Sequence, residues 1–221
     1  METTGRALRL AHRGIHETAI ENPLDAMRAA VLHSGIDGVE FDVRSSRDGV
    51  PMLLHDDTLR RTFGHDGGVE DHDAAELREI GVPSLASVLD VLPAHMALDV
   101  ELKTDVGTMV APLLEGRAGT GRVVVSSFEA GVLRTIGSVA PGIERWLNAE
   151  ALDVRAIALA TELGCTAVSA RLTTIDGETI GRAWRAGLAV AAWTATGRDE
   201  VARLDALGCI AICIEGGALP G

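Results

Sequence analysis

Short apolar runs alternate with amphipathic stretches along most of this sequence, and that alternation restricts the fold more than any other feature. Runs at 7–11, 38–43, 50–54, 96–102, 122–126, 143–147, 166–170, 188–193 and 210–214 read as strands. Helical patterns occupy roughly 73–80, 84–92, 106–117, 129–139, 149–163, 176–186 and 198–207. Another opens at Asn22-Pro23, with Asn22 as its cap and Pro23 at the first helical position, and stops near Gly35. Gly35, Gly164, Gly187 and Gly208 each follow a helical run, where a left-handed residue ends a helix. Repeated strand–helix units point to a parallel sheet covered by helices.

Nine strands are one more than a closed barrel of this type holds. The link Arg44-Ser45-Ser46-Arg47-Asp48-Gly49 resolves the count. A parallel crossover needs about a dozen residues, and Asp48-Gly49 is a strong turn signal. The run 50–54 is therefore an antiparallel excursion off the end of the second strand. The expected fold is α/β, a (β/α)₈ TIM barrel with a short β-hairpin excursion after strand 2, forming one domain over residues 1–221. An open doubly wound sheet is the alternative, and the lack of a Gly-rich loop after the first strand weighs against it.

The formal charge of −12 removes any general attraction to nucleic acid or an anionic membrane surface. A phosphate group must then be held by local cations, whether a metal or a few placed Arg and Lys. No run approaches the ~18 apolar residues of a membrane span. The N-terminus has no basic stretch followed by an apolar one, so a cytoplasmic location is expected. Cys165, Cys209 and Cys213 are odd in number and form no Cys-x-x-Cys, which suits buried, reduced thiols.

Alternate residues of a strand share a face. Glu40 and Asp42 thus lie together, with Val39, Phe41 and Val43 opposite. The second pattern puts Asp99, Glu101 and Lys103 on one face and Leu98, Val100 and Leu102 on the other. In a barrel the polar faces point inward, where unpaired carboxylates are costly. A hard divalent cation held through oxygens accounts for the cluster. Taken alone, a buried salt-bridge network joining Lys103 to Glu101 or Asp42 accounts for it equally well. The histidines favour a site. His12 closes the first strand and His55 the excursion, which puts both at the C-terminal mouth where barrel enzymes do their chemistry. Two imidazoles beside a carboxylate cluster suit acid–base catalysis.

Several motifs occur in order: His12-Arg13-Gly14, Glu21-Asn22, Gly38-Val39-Glu40-Phe41-Asp42-Val43, Asp48-Gly49, His55-Asp56, Leu59-x-Arg61-Thr62, Glu101-Leu102-Lys103, Ser127-Phe128 and Trp193-Thr194. In these the sequence resembles the glycerophosphodiester phosphodiesterase family over nearly its whole length, most densely from His12 to Thr62. The resemblance implies one divalent cation, Ca²⁺ or Mg²⁺, held by Glu40, Asp42 and Glu101. It implies His12 and His55 as acid and base, Arg13 and Lys103 on the phosphate, and Trp193 lining the glycerol or headgroup pocket. The implied reaction releases sn-glycerol 3-phosphate and an alcohol from a small glycerophosphodiester, through attack by the substrate's own glycerol hydroxyl.

The sequence departs from the family pattern at Pro23, at Ala195-Thr196, and at Ile214-Glu215-Gly216 after the last strand. These changes touch the rim and bear on substrate choice rather than chemistry. The stretch between His55 and Leu92 is short for the family, which suggests an open mouth. Glu21 either orients that mouth or is a first-turn carboxylate favoured by the helix dipole. Trp184 reads as helix packing, and Trp146 fits either core or site. Three other readings share these residues: a lysophospholipase D or other phosphodiester lyase, a non-catalytic phosphodiester-binding protein, and a metal-dependent sugar isomerase. The leaving alcohol, the order in which the histidines act and the oligomeric state are left open by the sequence.

Overall fold

The computed structural model describes residues 5–16, 23–117 and 120–220. In chain order the first elements are β1 (Leu8–His12), α1 (Leu24–Leu32), β2 (Gly38–Ser45), β3 (Pro51–Leu53), α2 (Arg60–Phe63), α3 (Ala74–Ile80), α4 (Leu85–Val91) and β4 (Ala97–Leu102). Then follow α5 (Gly107–Glu115), β5 (Val123–Ser127), α6 (Ala130–Val139), β6 (Glu144–Ala149), α7 (Val154–Glu162), β7 (Ala167–Arg171), α8 (Gly177–Arg185), β8 (Ala189–Ala195), α9 (Arg198–Leu207) and β9 (Ala211–Ile214). The sheet order is β1-β9-β8-β7-β6-β5-β4-β2, and β1 also pairs with β2, so the ring closes. All ring pairings are parallel. This is a TIM barrel, with β3 antiparallel to β2 outside the ring. After β9 the described residues show one 3₁₀ turn, Gly216–Ala218, in place of a further α-helix.

Strand positions agree with the sequence reading to within one or two residues, and most strands start slightly later. Gly35, Gly164, Gly187 and Gly208 all take left-handed φ. Two helix starts differ. Pro23 is the extended residue before α1 (φ −76°, ψ 159°), because its ring fixes φ and leaves ψ free to extend. Asn22 and Glu21 lie outside the described residues. The pattern from 149 is a helix only from Val154, since β6 continues to Ala149. The Asp153 carboxylate then caps the helix, accepting from Arg155 N at 2.9 Å and Ala156 N at 2.8 Å.

Outward side chains of the ring bury against the helices. Val39, Phe41, Val43, Leu98, Val100 and Leu102 cluster with Met27 and Ala30 of α1, Leu85 and Val88 of α4, and Val110 and Leu114 of α5. Val168, Val190, Ile212 and Ile214 cluster with Ile157, Ile180 and Leu204 across the other half. The excursion has a small core of its own, formed by Met52, Leu54, Leu59, Val69, Leu77 and Val82.

The inside of the ring changes character along its axis. Its lower part holds Leu10, Val124 and Trp146 surrounded by Ala97, Ala167, Ala191 and Ala211. One indole fills the space that the alanines leave. Trp146 is therefore a core residue, 1% exposed. Its Nε1 donates to Glu144 Oε1 at 3.0 Å, and the Arg122 guanidinium lies 5.2 Å from its ring centroid. Trp184, by contrast, is half exposed and packs less than its helical position suggests.

Replacing the indole empties the barrel floor. Trp146→Ala is expected to cost about 3–5 kcal/mol in urea unfolding. Glu144 supplies a pH-dependent contribution. Burial pushes its carboxyl up, but hydrogen bonds from Arg122 and Trp146 and the Arg122 charge outweigh this and hold it below the usual glutamate range. Its stabilisation is therefore present above the ordinary glutamate value and is lost as pH falls through the lower folded-state value. Glu144→Gln should unfold more easily at pH 7, and its deficit against wild type should shrink in acid below about pH 4.5.

Candidate active site

Closure between β1 and β2 puts His12 in register with Glu40. The chain then turns sharply. Arg13 is left-handed at φ 56° and Gly14 at φ 79°. A Cβ on Gly14 would come within 2.8–2.9 Å of Ala26 atoms, so only glycine lets the turn pass this close to α1. The Arg13 N–H donates to the Glu40 carbonyl at 2.8 Å and lies 3.2 Å from Glu40 Oε2. These bonds hold a non-glycine residue in a conformation that costs energy on its own.

Glu40, Asp42 and Glu101 are buried, and each offers a carboxylate oxygen within 4.8 Å of the others. Asp42 is paired with Asp42-facing cations on both sides: Arg13 Nε is 3.2 Å from Oδ2, and Lys103 Nζ is 3.1 Å from Oδ1. Lys103 also bonds Glu101. The salt-bridge network and the carboxylate cluster are thus the same set of residues. Burial pushes Asp42 up, yet Lys103 and Arg13 outweigh it and hold the carboxyl low. Glu40 is driven well up by burial and by the charges of Asp42, Glu101 and Asp99. Asp99 is pushed up to about 7, mainly by burial. Four buried carboxylates face two cations here. This excess of negative charge, presented entirely as oxygen donors, fits a hard divalent ion.

His12 and His55 line one cavity of about 270 Å³ with Glu40, Glu101, Arg13, Lys103 and Trp193. All of these residues were expected at the site, and Asp42 lies beneath them through its bonds to Arg13 and Lys103. Each histidine is held through Nδ1. His12 Nδ1 is 2.7 Å from Glu215 Oε2, and His55 Nδ1 is 2.8 Å from Asp56 Oδ1. A carboxylate there selects the Nδ1–H tautomer and leaves Nε2 for chemistry. Asp56 is in turn gripped by Arg61, at 2.5 Å from Nε and 2.9 Å from an Nη, which lowers it to about 2. Burial holds His55 itself below the usual histidine range, against the opposing pull of Asp42 and Asp56. Arg44 fixes the His55 backbone by donating to its carbonyl at 2.8 Å.

Trp193 and Phe128 form the aromatic wall, edge to face with centroids 5.8 Å apart. Trp193 Nε1 donates to the Ser169 carbonyl at 3.0 Å. Phe128 is placed by Ser127, whose hydroxyl donates to the Leu102 carbonyl at 2.7 Å and accepts from Glu129 N at 3.0 Å. Glu215, in sequence only a departure at the rim, reaches His12, and the cavity is also lined by Ser126, Asn148, Glu150 and Ser169, which no sequence motif singles out. Three of those four have a signal in hindsight, since Ser126, Asn148 and Ser169 are polar residues at inward positions near strand ends.

Residues 12–215 match the model of the glycerophosphoryl diester phosphodiesterase family. A glycerophosphodiester phosphodiesterase of Bacillus altitudinis is 32% identical over 155 residues, 61% of this chain and 63% of that protein. One of Caldanaerobacter subterraneus is 27% identical, with the match spanning 63% of this chain and 65% of its own length. The chain thus spans just under two thirds of these two relatives. An Oleispira antarctica phosphodiesterase solved with the product sn-glycerol-3-phosphate superposes with a TM-score of 0.85 at 26% identity, covering 95% of this chain and 93% of that one. A Thermotoga maritima glycerophosphodiester phosphodiesterase shares the fold at a TM-score of 0.81 and 20% identity, covering 95% of each chain. With the family model spanning nearly all of the barrel, this chain belongs to the glycerophosphoryl diester phosphodiesterase family.

Proposed function

We propose that this chain hydrolyses glycerophosphodiesters to sn-glycerol 3-phosphate and an alcohol. The observation that carries the reading is the pair of histidines, each tied to a carboxylate through Nδ1, on one cavity with the buried carboxylate triad. A binding pocket needs no proton-transfer pair; a diester-cleaving one does.

Glu40, Asp42 and Glu101 would hold one divalent cation, Ca²⁺ or Mg²⁺, by the chemistry of their oxygen donors. Such an ion supplies charge stabilisation at the non-bridging phosphate oxygens. The remaining work falls to the protein's own groups. Arg13 and Lys103 stand at the cavity as donors to the developing negative charge. One histidine Nε2 takes the proton of the substrate's 2-hydroxyl as that oxygen bonds to phosphorus. The other gives a proton to the departing alkoxide as its P–O bond breaks. A cyclic phosphate results. The histidines then exchange roles, and water opens the ring to sn-glycerol 3-phosphate. Glu215 and Asp56 keep each imidazole in its working tautomer, and Trp193 with Phe128 forms the apolar wall against the organic part of the substrate.

The first test is release of sn-glycerol 3-phosphate from glycerophosphocholine, glycerophosphoethanolamine and glycerophosphoglycerol, with EDTA or with Mg²⁺ or Ca²⁺. His12→Ala and His55→Ala should each lower kcat by about 10²–10⁴-fold, with the melting temperature still raised by the cation. No release with any diester or ion would overturn the reading. Glu40→Gln separates binding from repulsion. Its cation-free form should melt no lower than wild type, because one buried like charge is gone. It should also lose the cation's stabilisation, which in wild type reaches about 2.7 kcal/mol at a hundred times Kd. Scanning calorimetry with and without the ion reads both.

A further inference from the structure

The cavity has a polar floor that the proposed proton transfers do not use. Asp99, Ser126, Asn148 and Ser169 line it, from the adjacent strands β4, β5, β6 and β7, and none is more than 7% exposed. They lie above the plug of Leu10, Val124, Trp146 and alanines. Part of this floor is locked by hydrogen bonds. Asn148 Nδ2 donates to Ser126 Oγ at 3.3 Å, on the strand beside the one that carries Asp99. Asp99 Oδ1 is buried, with no hydrogen-bond partner among the described residues. A carboxylate oxygen in this position is costly unless something donates to it. Asp99 lines the cavity, so a ligand entering past the histidines meets it.

We propose that Asp99 is a specificity-determining residue, and that its carboxylate accepts a hydrogen bond from a hydroxyl of a polyol phosphate seated on this floor. The choice of hydroxyl rests on the phosphodiesterase reading above. The 2-hydroxyl must face phosphorus to cyclise, so the terminal hydroxyl is the one directed to the floor. Lys103 and Arg13, with a cation on the triad, would hold the phosphate end at the mouth. A site built to bond a substrate hydroxyl discriminates strongly against an analogue without it, because its own buried group is left unpaired.

The test is calorimetric binding of sn-glycerol 3-phosphate and of propane-1,2-diol 1-phosphate, which lacks only the terminal hydroxyl. Both are measured with Mg²⁺ or Ca²⁺ present. Wild type should bind the glycerol phosphate about tenfold or more tightly. Asp99→Ala should bring the two affinities within about twofold, mainly by weakening the glycerol phosphate. Asp99→Asn keeps the shape and a neutral acceptor, and should hold an intermediate preference. Equal binding of the two ligands by wild type overturns the proposal. So does a preference that Asp99→Ala leaves intact while both ligands weaken together, since that marks a purely structural role. Binding is read apart from turnover. An enzyme that cleaves diesters without this preference leaves the catalytic reading standing and removes this one. A preference lost in Asp99→Ala in a protein without turnover does the reverse.

Discussion

The pairing of β1 with β2 is the constraint on which the rest of the site depends. Without it the sheet is open, and the ends of the first and last strands have no fixed relation to the second. With it, His12 comes into register with Glu40, and the Arg13 N–H is committed to the Glu40 backbone. Closure also brings β9 beside β1, so that Glu215 reaches His12 from the far end of the sequence. One ring of backbone hydrogen bonds thus assembles groups more than two hundred residues apart.

Charge is managed along the same axis. The lower interior is apolar and filled by one tryptophan among alanines, which gives the barrel an ordinary packed core. The upper interior gathers Glu40, Asp42, Asp99 and Glu101 with Arg13 and Lys103. Like charges at such depth are tolerated because each cation serves more than one carboxylate or backs one already paired. The arrangement is stable enough to form and unbalanced enough to attract a further cation.

Much of this was legible in the sequence. Strand periodicity alone sends Glu40, Asp42, Asp99 and Glu101 inward, and the short link after β2 is enough to expel β3 from the ring. What the sequence hides is contact at long range. Glu215 reads as an exposed residue after the last strand until the ring closes and sets it against His12. Trp146 could not be assigned because its role follows from the alanines on four other strands. The polar floor was missed for a related reason. Ser126, Asn148 and Ser169 are unremarkable one at a time and acquire meaning only as a belt around Asp99. Trp184 shows the opposite error, a large apolar side chain assumed to pack that stays half exposed.

The excursion carries a different implication. His55 belongs to a segment with its own small core, joined to the barrel through three β2–β3 residue pairs, the Arg44 side chain, a bridge from Met52 to Ser84, the Leu53 and Leu54 N–H bonds to the Pro83 and Asp42 carbonyls, and Leu53 in the core between β2 and the helices. His12 belongs to the ring itself. The two histidines of the proposed acid–base pair therefore stand on differently supported parts of the fold. Opening of the appended unit would separate the imidazoles while leaving the ring and its carboxylates folded.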